Sequence, residues 1–370
     1  MTETQRFEIF LVTAPGLEAL LAEEAREAGF ADAVATEGGV TLSGGWPEVW
    51  RANLCLRGAT RVLVRIASFR AMHLAQLDKR SRKVPWGEFL RADVPVAVDA
   101  SCRKSKIYHA GAAAQRVATA IAEELGAPIE AEAGLRIMAR IEDDLVTISI
   151  DTSGESLHKR GYKEVVNRAP MRETMAALFL RGAGYRGTET VYDPMCGSGT
   201  LVMEAAEWAL GLAPGRSRQF GFEGLKGFDA AAWAALKMGT RRDTALRFFG
   251  SDRDVGAVAM SRENAARAGI SEVTSFSEMD VEAMVPPEGP PGLVIVNPPY
   301  GARIGEKREV QALYAAFGKA LKSRFKGWRA ALITTDSGLA KATGLPFGPP
   351  GKPVLHGGLR VNLWQTGVLR

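Results

Sequence analysis

Two short stretches hold the residues best suited to chemistry. The first is Val191-Tyr192-Asp193-Pro194-Met195-Cys196-Gly197-Ser198-Gly199-Thr200-Leu201, where an apolar run ends in an acid and a turn of small residues follows. The second is Val294-Ile295-Val296-Asn297-Pro298-Pro299-Tyr300-Gly301, where an apolar run ends in a diproline turn. In the first, Gly197 and Gly199 let backbone N–H groups approach a ligand without a Cβ in the way. A helix start behind them offers free N–H groups and the positive end of a dipole to an anion. Asp193 repels phosphate and attracts an ammonium group, so a ligand with both charges fits. An amino acid has both, and so does S-adenosylmethionine (SAM). A dinucleotide is disfavoured, because Val202 stands where a third glycine is needed and no acid follows about 20 residues on.

In the second stretch two prolines fix φ and remove two backbone donors, which stiffens the turn. The Asn297 side-chain oxygen and the Pro298 carbonyl can both accept from an exocyclic NH₂, and Tyr300 can stack on a base. These are tools for presenting an amine to an electrophilic methyl group.

The elements that position them alternate strand and helix. Val191 to Asp193 reads as a strand and Leu201 to Leu210 as the helix behind it, the opening unit of a doubly wound sheet. Leu246 to Gly250 reads as the second strand, ending Ser251-Asp252-Arg253-Asp254, and Val255 to Ala268 as its helix. An acid at that strand end can accept both ribose hydroxyls of a nucleoside. Asp252 is the first choice and Asp254 the second. Phe276 to Asp280 ends a third strand, and Asp280 is placed to accept from an adenine amine. Arg308 to Phe325 reads as a helix, Arg329 to Thr335 as a strand, and Pro353 to His356 with Leu359 to Gln365 as a final hairpin across Gly357-Gly358. Cys196 lacks a second cysteine with which to form a covalent or radical site, so it reads as structural.

Taken together, the two motifs resemble those of class I SAM-dependent amino-methyltransferases. The whole chain resembles the THUMP-domain RNA guanine-N2 methyltransferases, closest to the bacterial 23S rRNA type. The resemblance implies an α/β architecture. A Rossmann-like seven-stranded methyltransferase domain over 153–370, its last strand antiparallel, follows a smaller α+β region. That region divides into a ferredoxin-like domain over 1–69 and an RNA-binding THUMP domain over 70–152. It also implies SAM as cofactor, with Thr174, Asp193, Cys196, Gly197, Ser198, Gly199, Asp252, Asp254, Asp280 and Asn297 around it. Asn297, Pro298 and Tyr300 are then catalytic, with no metal.

The first half agrees in pattern. Strands are expected at Phe7 to Val12, Gly38 to Leu42 and Arg61 to Phe69. Helices are expected at Gly16 to Gly29 and Trp46 to Leu54, with Pro47 suited to a first helical turn. Val94 to Ser101 reads as a strand, Gly111 to Leu125 as a helix, and Arg136 to Ile141 with Leu145 to Asp151 as a hairpin. Between strand and helix lies Cys102-Arg103-Lys104-Ser105-Lys106-Ile107-Tyr108-His109, where Arg103, Lys104 and Lys106 could hold phosphates at a helix start. The insertion from Gly211 to Thr244, rich in arginine and aromatics, is either a cover for the sheet or an RNA contact. His158 reads as a hydrogen bonder at the junction of the two halves.

Composition sets the outer bounds. The 370 residues suit two or three domains, and 46% hydrophobic content is ordinary for a globular chain. No apolar run approaches the ~20 residues of a membrane span, and residues 1–25 lack a signal-peptide core. Three widely spaced cysteines suggest neither a disulfide framework nor a metal site. A cytoplasmic protein without an obligate protein partner is expected. Residues 1–165 hold 21 lysines and arginines against 23 acids, whereas residues 166–370 hold 26 against 19. The basic second half is compatible with a polyanionic substrate. The diproline motif also serves N6-adenine DNA and protein-glutamine methyltransferases, and tRNA is an alternative to rRNA. From a different class, a SAM-binding RNA chaperone would have no use for an intact Asn297-Pro298-Pro299-Tyr300.

Overall fold

A computed structural model describes residues 6–163, 171–239, 241–300 and 307–370. Its elements fall into two compact units, and neither is one continuous stretch of chain. The first takes in the chain up to Thr13, then Ala22–Leu157 and Ser217–Met238. The second takes in Ala14–Leu21, His158–Arg216 and Gly239–Arg370.

In chain order the amino-terminal elements are β1 (Phe7–Val12), α1 (Glu18–Glu27), β2 (Val34–Thr36), β3 (Gly39–Gly44), α2 (Trp46–Cys55), β4 (Arg61–Arg70), α3 (Leu74–Ser81), α4 (Trp86–Phe89), β5 (Val96–Arg103), α5 (Ala110–Leu125), β6 (Leu135–Glu142) and β7 (Leu145–Asp151). The strands form one sheet in the order β2-β3-β1-β4-β7-β6-β5. The β4–β7 pairing joins the early strands to the later ones, with a bulge between Arg65 and Ala67. Alternation explains the strands. In β6 every second side chain, from Leu135 to Ile141, is buried, the period-2 pattern of a sheet with one face on a core.

The aromatic insertion contributes to this unit's core. Phe222 lies 6.1 Å from Trp50 and 5.0 Å from Trp233, ring centre to ring centre, and Phe220 stacks on Phe222 at 5.1 Å. Its α8 (Ala230–Lys237) is capped by Asp229, whose carboxylate accepts the N–H groups of Ala231 and Ala232. Ser217–Met238 of the insertion therefore packs in the first unit and is not the cover for the second sheet that the sequence allowed.

The second unit holds α6 (Glu173–Gly182), β8 (Val191–Asp193), α7 (Thr200–Ala209), β9 (Phe248–Asp252), α9 (Val255–Ala268), β10 (Thr274–Glu278), β11 (Leu293–Val296), α10 (Lys307–Arg324), β12 (Arg329–Thr334), α11 (Ser337–Ala342), β13 (Val354–His356) and β14 (Leu359–Gln365). Its sheet runs β10-β9-β8-β11-β12-β14-β13. β10, β9, β8, β11 and β12 are mutually parallel, and β14 runs antiparallel to β12. Central strands covered on both faces should be apolar throughout, not alternating. β11 agrees, since Leu293, Val294, Ile295 and Val296 are all buried. The core on one face gathers Tyr192, Val294, Val296 and Leu332 against Tyr314 and Phe317 of α10 and Phe325 just after it.

Candidate active site

In an open parallel sheet the ligand crevice lies beyond the carboxyl ends of the strands, where the strand order reverses. Here the order reverses between β8 and β11. Asp193 is the last residue of β8, and Asn297 follows the last residue of β11. Both line one cavity of about 370 Å³, together with Cys196, Gly197, Ser198, Pro298 and Tyr300. A second cavity, of about 760 Å³, is lined by Asp252, Asp254, Asp280 and Met279. Met195 and Pro299 line both cavities, so the two share a wall.

The turn after β8 is held from behind. Ser261 Oγ of α9 donates to the Gly197 carbonyl at 2.9 Å, and Asn264 Nδ2 donates to the Ser198 carbonyl at 3.3 Å. Asp252 Oδ2 accepts the Gly197 N–H at 3.0 Å, and its Oδ1 accepts the Asp254 N–H at 3.0 Å. With the carbonyls tied back, the start of α7 presents its N–H groups, which have no partner within the helix. Gly199 has φ +80°, and a Cβ on it would come within 3.0 Å of Ser261 Oγ and 3.2 Å of Phe276. Close packing of the turn on α9, and not ligand approach, is thus what requires glycine at 199. At Gly197, with φ +53°, the space that a Cβ would fill is open.

Asp193 is almost fully buried and accepts the Met195 N–H at 3.1 Å. Burial pushes its carboxyl up to about 8, against the weaker effect of that hydrogen bond and with a further push from Asp252. No ion pair reaches it among the described residues. Burial also drives the Cys196 thiol well above its ordinary value, so it stays protonated and structural. Beneath α7 lie two buried ion pairs. Arg160 meets Glu204 at 3.0 Å, and Lys163 meets Glu173 at 2.9 Å while donating to Thr200 Oγ1 at 2.6 Å.

Facing the turn, Asn297 is half-buried and Pro298 buried. The Tyr300 hydroxyl donates to Asn297 Oδ1 at 2.8 Å. Burial pushes that phenol up to about 12, so it remains a donor at any ordinary pH.

Three expectations change. Thr174 is buried in the first turn of α6 and does not line the cavity, whereas Met171 does. Asp254 lines the second cavity, but its carboxylate caps α9 by accepting the Gly256 N–H at 2.8 Å, which leaves Asp252 the better placed of the two acids. The basic stretch also differs. Helix α5 is capped by His109, whose Nδ1 accepts the Ala112 N–H at 3.0 Å, so Arg103, Lys104 and Lys106 do not sit at a free helix start. Arg103 lies 3.2 Å from both Glu37 and Glu142, and Asp144 accepts the Lys106 N–H at 2.7 Å.

Sequence reasoning missed His356, Gly357 and Leu359, which line the first cavity from the β13–β14 hairpin. The signal was there. A strand antiparallel to β12 must begin beyond the carboxyl ends of the parallel strands, where the site lies.

Residues 160–346 match the family model described as "RMKL-like, methyltransferase domain", and residues 8–63 match the "RlmL ferredoxin-like domain". The chain belongs to the RMKL-like methyltransferase family. A curated relative from Syntrophotalea carbinolica, ribosomal RNA large subunit methyltransferase K/L, is 39% identical over 359 residues. The match takes in 91% of this chain and 50% of that protein, so the chain spans about half the length of the curated relatives it matches. Among solved structures, SMU.472, assigned as a methyltransferase and solved in complex with SAH, has a TM-score of 0.90 at 26% identity, covering 100% of both chains. A predicted N6-adenine-specific DNA methylase from Listeria monocytogenes has a TM-score of 0.87 at 29% identity, covering 98% of this chain and 97% of that one. For an RMKL-like methyltransferase the α/β fold and the seven-stranded sheet of the second unit are as the sequence implied, while the sheet of the first unit also has seven strands. Among the described residues no helix is long and apolar enough to cross a membrane, and no acid, histidine and cysteine group could hold a metal ion.

Proposed function

We propose that this chain binds SAM across the two adjoining cavities and transfers its methyl group to the exocyclic N2 amine of a guanine in RNA, with large-subunit rRNA as the substrate. The observation that carries the reading is one cavity lined both by the buried Asp193, which no ion pair reaches among the described residues, and by the Asn297-Pro298-Pro299-Tyr300 turn. The first suits an ammonium group and the second suits an amine about to be methylated.

The residues present fit the cofactor. Asp193 would take the amino group, and the start of α7 beside the open space at Gly197 would take the carboxylate. Asp252 keeps lone pairs on both oxygens for ribose hydroxyls, and Asp280, in the same cavity, accepts from the adenine amine. When bound, SAM supplies a methyl group on a sulfonium that needs no further activation.

What the chain must add is alignment and exclusion of water. The guanine amine has its lone pair delocalised into the ring. Accepting its two N–H groups at Asn297 Oδ1 and the Pro298 carbonyl favours a more tetrahedral nitrogen and offsets the positive charge that develops on it. Tyr300 packs on the base. The base must be unpaired or extruded to reach the cavity.

We assign residues 1–69 to the ferredoxin-like domain, 70–152 to the THUMP RNA-binding domain and 153–370 to the methyltransferase, within which Ser217–Met238 packs in the first unit. Arg103, Lys104 and Lys106 form the basic turn that meets phosphate, and action on ribosomal RNA places the protein in the cytoplasm. The test is incubation with SAM and protein-free large-subunit rRNA, followed by mass spectrometry of the nucleosides. N2-methylguanosine is expected. N6-methyladenosine as the only product would instead favour the activity named for the Listeria relative, and no methylated nucleoside at all would discard this RNA as substrate.

A further inference from the structure

The β13–β14 hairpin carries a feature that catalysis at Asn297 does not use. Thr334, the last residue of β12, pairs with Asn362 of β14. Leu359, where β14 begins, lies three residues earlier, and His356 pairs with it across the turn. At about 3.3 Å per residue the hairpin tip overhangs the carboxyl ends of the parallel strands by roughly 10 Å. Gly357 at φ +56° and Gly358 at φ +82° form the two-residue turn. Positive φ at both central positions matches the twist of a tight hairpin, so the tip is held in one shape.

His356 thereby lines the same cavity as Asn297 and Tyr300. Its side chain is half-buried. Burial, with a smaller contribution from the Arg172 guanidinium, holds its imidazole below the ordinary value. The ring is then neutral near pH 7, with one N–H to donate and one nitrogen to accept.

We propose that His356 is a specificity-determining residue, whose imidazole reads the edge of the target base opposite the amine held by Asn297. This rests on the guanine-N2 reading above. A guanine whose amine meets Asn297 turns its O6 and N7 acceptors away from that turn, and an imidazole N–H is the complement of those acceptors. Asn297 and Pro298 recognise only an NH₂ group, so by themselves they accept any aminated base. A donor elsewhere in the same cavity distinguishes guanine from bases that lack O6.

The test uses the full chain, SAM and two synthetic RNA stem-loops spanning the guanosine mapped by mass spectrometry. One carries guanosine at that position and the other 2-aminopurine riboside, which keeps the 2-amine but lacks O6. Wild type should prefer guanosine in kcat/KM. His356→Phe, which keeps a ring but no donor, should reduce that preference about tenfold, since a site built to hydrogen-bond a polar group gains its discrimination from that bond. His356→Gln, which keeps a donor, should retain most of the preference. Thermal unfolding of each variant reports on folding independently. Equal loss of rate on both substrates, or a His356→Phe preference equal to wild type, overturns the assignment of His356 and leaves the guanine reading standing. Failure of wild type to methylate the 2-amine of either substrate overturns both.

Discussion

The Tyr300 hydroxyl donates to Asn297 Oδ1 at 2.8 Å. One lone pair of the Asn297 oxygen is thereby committed to an internal donor, in a residue that lines the cavity. The bond holds the amide with its oxygen toward the phenol, which donates to it. Tyr300→Phe should therefore release the amide to rotate while keeping the stacking ring. We expect kcat to fall roughly fivefold with little change in the KM for RNA, in line with loss of one hydrogen bond of about 1 kcal/mol. Steady-state kinetics check this, and an unchanged kcat would show that the amide is oriented by something else.

Asn297→Ala removes the acceptor itself. The charge it offsets develops mainly in the transition state, so kcat should drop by ~10²–10³ while SAM affinity is preserved. Stopped assays with saturating RNA and SAM, beside calorimetry of SAM binding, separate the two quantities. Near-normal turnover would remove Asn297 from the chemistry.

Asp193 is expected to make cofactor binding depend on pH. Its carboxyl titrates near 3.8 in the unfolded chain and at about 8 when folded. Between those values the folded chain holds a proton that the unfolded chain has released. The contribution of this residue to stability is therefore greatest below about pH 4, falls as pH rises, and is fully lost above about pH 8. A ligand ammonium favours the ionised carboxyl, so SAM binding at pH 7 should release a proton. Calorimetry in buffers of differing ionisation enthalpy measures that release. Asp193→Asn should abolish it and weaken binding, and release unaltered by the substitution would assign the proton elsewhere.

The two acids after β9 should separate cleanly. Asp252→Ala removes acceptors for the Gly197 N–H and for a ribose, at on the order of 1.5–3 kcal/mol per charged hydrogen bond, and should weaken SAM binding. Asp254→Ala removes the cap of α9, so it should lower stability by about 1 kcal/mol and leave SAM affinity nearly as it was. Denaturant titration and binding calorimetry on both variants decide between them. The reverse pattern would make Asp254 the ribose acceptor.

Neutralising Arg103, Lys104 and Lys106 together should weaken RNA binding and flatten its dependence on salt. Arg103 already sits between Glu37 and Glu142, so the slope should change by roughly one to two units, less than three free cations would give. Filter binding across a salt series checks this. An unaltered slope would make the turn a solvated surface.

Much of the second unit was legible in the sequence because its signals are local. Helix α9 runs from Val255 to Ala268 as read, between the Asp254 cap and Gly269 at φ +68°. The apolar run of β11, followed by the diproline turn, gave both strand and site. The misses share a cause. Helices α3 and α4 lie in a charged stretch whose pattern suits exposed loop equally well. Phe220, Phe222 and Trp233 announce burial, but no local pattern says that Trp50, far off in sequence, is their partner. His356 stands in no motif, and only the antiparallel direction of β14 brings it to the cavity.

The interleaved path of the chain also governs how the molecule can be divided. A fragment starting at His158 would retain Ser217–Met238 but lose the Trp50 surface on which Phe222 and Phe228 pack. A fragment ending at Leu157 would leave that surface bare. Excision at the apparent boundary is therefore expected to yield sticky, poorly soluble pieces, whereas two halves expressed together have the means to complement each other.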